Sequence, residues 1–105
     1  MKTVVIDVKK WGRDEYFTPN GKCCAIGFAY KAFDPTVNVK TDVEDLVQLE
    51  TKNPELNALV HQCDSKTGRT ITKVNDSLYG KERRDILKKM FKNAGLRLIF
   101  KNLGV

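Results

Sequence analysis

Hydrophobic positions along this chain form a few periodic runs separated by polar turns. Val4, Ile6 and Val8 alternate with Val5 and Asp7 in a β-branched stretch, so Thr3–Val8 reads as a strand. Residues 12–22 are turn-rich, and Pro19-Asn20-Gly21 is a strong turn signal because Asn and Gly tolerate positive φ. Tyr16 and Phe17 form a strand stub before it. The apolar run Cys23–Phe33 has helical spacing (Ala25, Ala29, Ala32) and predicts a buried helix. Asp34-Pro35 ends it, because a residue before proline avoids the α region. Thr36–Lys40 reads as extended or strand-like.

Thr41 or Asp42 is placed to cap a helix through Leu49, with Val43, Leu46 and Val47 on one face. Asn53-Pro54 opens another helix carrying Leu56, Leu59, Val60 and Cys63. A polar turn is expected over residues 64–70, and Ile71–Leu78 is open between turn and helix cap because of Asn75-Asp76-Ser77. The last helix, near residues 80–94, is the most legible. Ile86, Leu87, Met90, Phe91 and Ala94 make one apolar stripe, and Gly95 is a natural stop. Leu96, Leu98 and Phe100 then alternate with Arg97, Ile99 and Lys101 as a closing strand. The expected fold is an α+β single domain over residues 1–105, with a short antiparallel sheet of the first and last strands against three to four helices.

Composition narrows the class. A chain of 105 residues with 41% hydrophobic and 30% charged residues is long enough for one modest core and is not disordered in composition. The longest apolar stretch, within Cys23–Tyr30, is too short to span a bilayer, and Met1-Lys2-Thr3-Val4 does not begin a signal peptide. The expectation is a cytoplasmic protein with no membrane association. An odd count of three cysteines, two of them adjacent, fits free thiols in a reducing compartment better than a disulfide framework.

Charge changes the picture more. The net charge of +6 divides into +3 over residues 1–40, −5 over 41–64 and +8 over 65–105. Lys81, Arg84, Lys88 and Lys92 are spaced three, four and four apart, so they line one side of the last helix, and Arg83 and Lys89 widen that side. Such a row attracts phosphate backbones by counterion release and acidic protein surfaces by simple attraction. It is also what a solvated helix face with dipole-compensating cations looks like, and the acidic middle segment is available to neutralise it within the fold. Trp11 and Arg13 add an aromatic and a cation to the candidate binding residues, as a cation–π pair or a core anchor.

Three other constellations carry candidate chemistry. Cys23 or Cys24 at a helix start beside Lys22 could be an activated thiol, with His61, the lone histidine, as its base. Core packing is the simpler role for both thiols. Cys23, Cys24, His61 and Cys63 are four in number, as zinc requires, but their spacings do not suit a zinc site, so no metal is expected. No glycine-rich phosphate loop or dinucleotide fingerprint is present, and no cofactor is expected. Trp11, Tyr16 and Phe17 are candidates for self-association, giving a monomer or small homo-oligomer.

Trp11-x-Arg13, Gly21-x-Cys23-Cys24-x-Ile26-Gly27-Phe28, Asn75-Asp76 and a charged helix stopping at Gly95 before a strand together resemble a group of small tailed-bacteriophage proteins. Those begin with a strand, a Trp-x-Arg-Gly segment and a Gly-x-x-Cys-Cys-Leu-Gly-Phe run, and carry an Asn-Asp pair before a final helix. The likeness runs through most of the chain in short islands, of which Cys23-Cys24-x-Ile26-Gly27-Phe28 is the most distinctive. This chain departs at Asp14, where the group has glycine, and at Ile26, where leucine is common. The resemblance implies a phage origin and no particular reaction. It points to a host-takeover or counter-defence factor that occupies a host macromolecule or sequesters a ligand. Nucleic-acid binding through the same basic face is the first alternative, and a cysteine-dependent enzyme the second.

Overall fold

The first and last strands meet side by side. In the computed structural model, which describes residues 1–64 and 68–103, β1 (Lys2–Asp7) pairs with β2 (Leu96–Lys101) in register from Lys2↔Leu96 to Asp7↔Lys101. The pairing is parallel, which corrects the antiparallel sheet expected above. Alternating apolar residues specify which face a strand buries, not its direction. A parallel pair needs a long crossover, and here almost the whole chain is available to supply it. Val4, Ile6, Leu96 and Leu98 point inward, whereas Val5 and Ile99 face outward.

Five helices, rather than three to four, lie among the described residues: α1 (Ala25–Phe33), α2 (Val43–Lys52), α3 (Pro54–Val60), α4 (Ile71–Ser77) and α5 (Gly80–Asn93). Helix α1 begins two residues later than the apolar run, because Cys24 is an extended N-cap and Cys23 bridges to both Trp11 and Phe17. It lies so close to the preceding segment that a Cβ on Gly27 would sit 2.0 Å from the Tyr16 carbonyl oxygen. In α2 the expected apolar face is rotated: Leu46 is buried, while Val43 and Val47 are 74% and 50% exposed. Glu50 turns inward instead and accepts a hydrogen bond from the Tyr30 hydroxyl at 3.0 Å.

Residues 36–40 are not a strand. Asp34 and Asn38 side chains capture the local backbone, Asp34 Oδ1 from Thr36 N at 3.0 Å and Asn38 Oδ1 from Lys40 N at 2.8 Å. This is the competition that Asx side chains offer to regular structure. Leu56 and Leu59 of α3 are buried and Cys63 is exposed beyond its end. The polar turn expected over 64–70 lies partly outside the described residues. The ambiguous segment resolves as α4, capped by Thr70, whose hydroxyl accepts from Lys73 N at 3.4 Å. Helix α5 buries Leu87, Met90 and Phe91, and Gly95 at φ +86 turns the chain into β2. No helix among the described residues is long and apolar enough to cross a membrane.

Candidate functional site

Helix α5 carries its cations outward as the spacing implies. Lys81, Lys88 and Lys92 are exposed and Arg84 is half-buried, in a row about 16 Å long at 1.5 Å per residue. Lys81 Nζ lies 3.9 Å from Asp85 on the same helix. Among the described residues, no carboxylate is within 4.0 Å of Arg84, Lys88 or Lys92. The acidic segment 41–64 therefore does not neutralise these three by direct pairing.

Beside this row the surface is concave. A groove of about 470 Å³ runs between α5 and β2, with Lys88, Lys92 and Arg97 at its rim and Met1, Leu98 and Ile99 as apolar lining. Both elements follow directly from sequence: the helical period sets Lys88 and Lys92 one turn apart, and the strand period sets Arg97 and Ile99 on the outward side of β2. Lys88 Nζ also lies 5.8 Å from the Phe100 ring centroid, so its charge is held over the strand's end.

Trp11 and Arg13 are turned inward, into a polar cluster at the junction of α1, α4 and α5. Asn75, fully buried on α4, is its centre. Its Oδ1 accepts from Trp11 Nε1 (2.6 Å), Ala25 N (3.0 Å) and an Arg83 terminal nitrogen (3.1 Å). Its Nδ2 donates to the Gly12 carbonyl (3.1 Å) and Asp76 Oδ1 (2.8 Å). Arg13 donates to the carbonyls of Asn75 (2.8 Å) and Leu78 (2.9 Å), and its guanidinium lies over the Tyr79 ring at 4.4 Å. Asp76 Oδ1 accepts from Asp14 N at 3.0 Å, which fixes Asp14 in a left-handed conformation at φ 70. Both terminal nitrogens of the Arg13 guanidinium are thus committed within the fold.

Arg83 was expected on the outer face of α5, and the structure corrects this. It is 8% exposed, its guanidinium stacks 3.4 Å from the Trp11 ring centroid, and its Nε is buried without a hydrogen-bond partner. Desolvation by burial, with Arg13 nearby, lowers its pKa to about 10, so it is still charged at neutral pH. Phe100 tilts against the Trp11 ring at 5.2 Å, so cations and a second ring already occupy these aromatic faces. The inward roles of Arg83 and Asn75 were not read from the sequence, although one signal was available. Arg83 lies four residues before Leu87 and so falls on the apolar stripe itself.

The cysteines are placed as packing groups. Cys23 and Cys24 are 3% and 1% exposed. Burial pushes both thiols up, Cys24 to about 11, which outweighs the N–H groups of Gly27 and Ile26 that favour its thiolate. A thiol held protonated at neutral pH is a poor nucleophile. His61 is exposed at the end of α3. Among the described residues no group of three or more His, Cys, Asp or Glu side chains is arranged to hold a metal ion. Phe17 is buried and Trp11 half-buried, so of the three aromatic residues considered for self-association only Tyr16, at 36%, is exposed. No family model, no curated protein and no solved structure matches this chain.

Proposed function

We propose that this protein acts by non-covalent association, with the outer face of α5 and the adjoining side of β2 docking on an acidic surface of another protein. The groove lined by Lys88, Lys92, Arg97, Met1 and Ile99 carries the reading. Its apolar lining accommodates a side-chain anchor, and its cationic rim suits carboxylates around that anchor. A phosphate backbone would use the rim and leave the lining empty. Sequence-tolerant single-strand binding also draws on open aromatic faces; those of Trp11 and Phe100 beside the groove are covered, and the exposed Tyr79 ring sits at the other end of α5, at its N-cap. The phage resemblance supplies a host macromolecule as the class of partner and interference as the purpose.

Affinity capture from bacterial lysate, with and without nuclease, tests this against the variant Lys88→Glu/Lys92→Glu. Both side chains are exposed, so the variant should stay folded, with a small fall in melting temperature from the lost Lys88–Phe100 contact and the reversed charge in the last turn of α5. The expected result is a protein captured by the parent, indifferent to nuclease and lost with the variant. Capture that vanishes on nuclease treatment would establish the nucleic-acid alternative instead. Capture unchanged by charge reversal would remove this face from consideration.

A further inference from the structure

A second concave surface shares no lining residue with the groove beside α5. A cleft of about 360 Å³ opens between the turn at residues 18–22 and the loop at residues 38–40, with Lys31 of α1 behind it. Three lysines, Lys22, Lys31 and Lys40, line it, and no Asp or Glu does. Among the described residues, none of the three ammonium groups has a carboxylate within 4.0 Å. Lys31 is half-buried rather than extended into solvent. Its ammonium lies 5.9 Å from the Phe17 ring centroid and faces the Cys23 thiol, and both of those residues are buried beneath the cleft.

Like charges around one concavity repel each other, and apolar backing focuses their field into the opening. An anion in the cleft relieves that repulsion. Ammonium groups act as point-charge partners for phosphate, and a dianionic phosphate takes contacts from several at once. Pro19 and Val39 leave an apolar wall beside the lysines. The volume falls at the small end of ligand pockets, roughly 300–1,000 Å³, which suits a molecule of mononucleotide size. The walls are set before any ligand arrives: Thr18 N donates to the Lys22 carbonyl at 2.8 Å, and Asn38 N to the Thr41 hydroxyl at 2.9 Å.

We infer that this cleft binds a small organic phosphomonoester, with its phosphate among Lys22, Lys31 and Lys40 and its organic part against Pro19 and Val39. The site is separate from the α5 face, so neither claim depends on the other. The test is a nitrogen-15 NMR titration of the full chain with adenosine monophosphate, ribose 5-phosphate, adenosine and inorganic phosphate. At least one of the two esters should shift the amides of Lys22, Cys23 and Lys40 saturably, with a Kd below about 1 mM. A base that adds contact makes the nucleotide the tighter ester, and equal binding assigns recognition to the sugar phosphate. Adenosine should shift nothing, and inorganic phosphate should bind at least ~10-fold more weakly than the better ester. Lys22→Gln/Lys40→Gln should weaken ester binding about 10-fold or more at an unchanged melting temperature, while Lys88→Glu/Lys92→Glu should leave it intact. Absence of saturable shifts with both esters would overturn the inference. So would inorganic phosphate binding as well as they do, or shifts confined to α5.

Discussion

Replacing Asn75 with alanine should damage this fold more than any other single polar substitution on α4. The amide oxygen accepts three donors, and two of them, Ala25 N and the Arg83 guanidinium, are in buried contacts. Each donor left buried without an acceptor costs about 1–3 kcal/mol, with the cation toward the upper end. Trp11 Nε1 is in a part-buried contact and recovers some of its loss from water. The Gly12 carbonyl and Asp76 lose a donor on the same substitution. Non-additivity within one network pulls the total down, to about 3–5 kcal/mol. A chain of this length has a stability of roughly 5–15 kcal/mol, so the loss is a large share of it. At ~4–8 °C per kcal/mol, the melting temperature should fall by at least about 12 °C. Urea denaturation at neutral pH, followed by circular dichroism, measures it. Asn75→Asp keeps an acceptor for all three donors but loses the two donations and faces Asp76, so it should be destabilised less than Asn75→Ala. A loss under about 1 kcal/mol for alanine would refute the central role of this amide. Equal losses for the two variants would refute the claim that its acceptor side carries most of the effect.

Further outcomes follow from other contacts. Gly27→Ala places a methyl 2.0 Å from the Tyr16 carbonyl oxygen, so backbone must move, and the loss by denaturation should reach about 1–3 kcal/mol or more. In a native thiol assay at neutral pH only the exposed Cys63 should react promptly, with Cys23 and Cys24 following on unfolding. Fast labelling of either would return the cysteine chemistry to contention. The Cys24 thiol is raised from 9.0 to about 11, so its folded form stays protonated where the unfolded chain ionises. Its contribution is present in full below pH 9 and is lost as pH rises toward 11, by about 2–3 kcal/mol. Denaturation of Cys24→Ala over that range should show a shallower fall than the parent.

The sequence made visible what depends on a single element. The stripe from Leu87 to Ala94, the stop at Gly95 and the alternation at Leu96 and Leu98 each report one helix or strand, and each is where the pattern placed it. The strand expected over residues 36–40 failed locally, to the Asp34 and Asn38 side chains, while the other failures depended on partners distant in sequence. Strand direction is not written in Val4 or Leu98, whose alternation fits either a parallel or an antiparallel partner. Asn75-Asp76 has turn-like propensity, yet it forms helix because its amide is engaged by Trp11 and Ala25 from remote segments. Arg83 carries a charge that composition assigns to solvent, and only the stacked Trp11 ring explains its burial. The outward cations of α5 were legible from spacing alone. The groove beside them was not, because it also needs the outer residues of β2.

The pairing of β1 with β2 has a consequence for the order of events during synthesis. Lys2 finds its partner at Leu96, so the sheet cannot form until nearly all of the chain between them has been made. A loop that long closes slowly, and its contacts are rewarded only after the closure entropy is met. At ribosomal rates of roughly 5–20 residues per second, β1 waits several seconds with its backbone edge unpaired before its partner is made. The helices from α1 to α5 are the parts able to condense first, leaving β1 to be captured last. Released chains truncated just short of Leu96 should therefore remain protease-sensitive at β1, and released chains that include Lys101 should not.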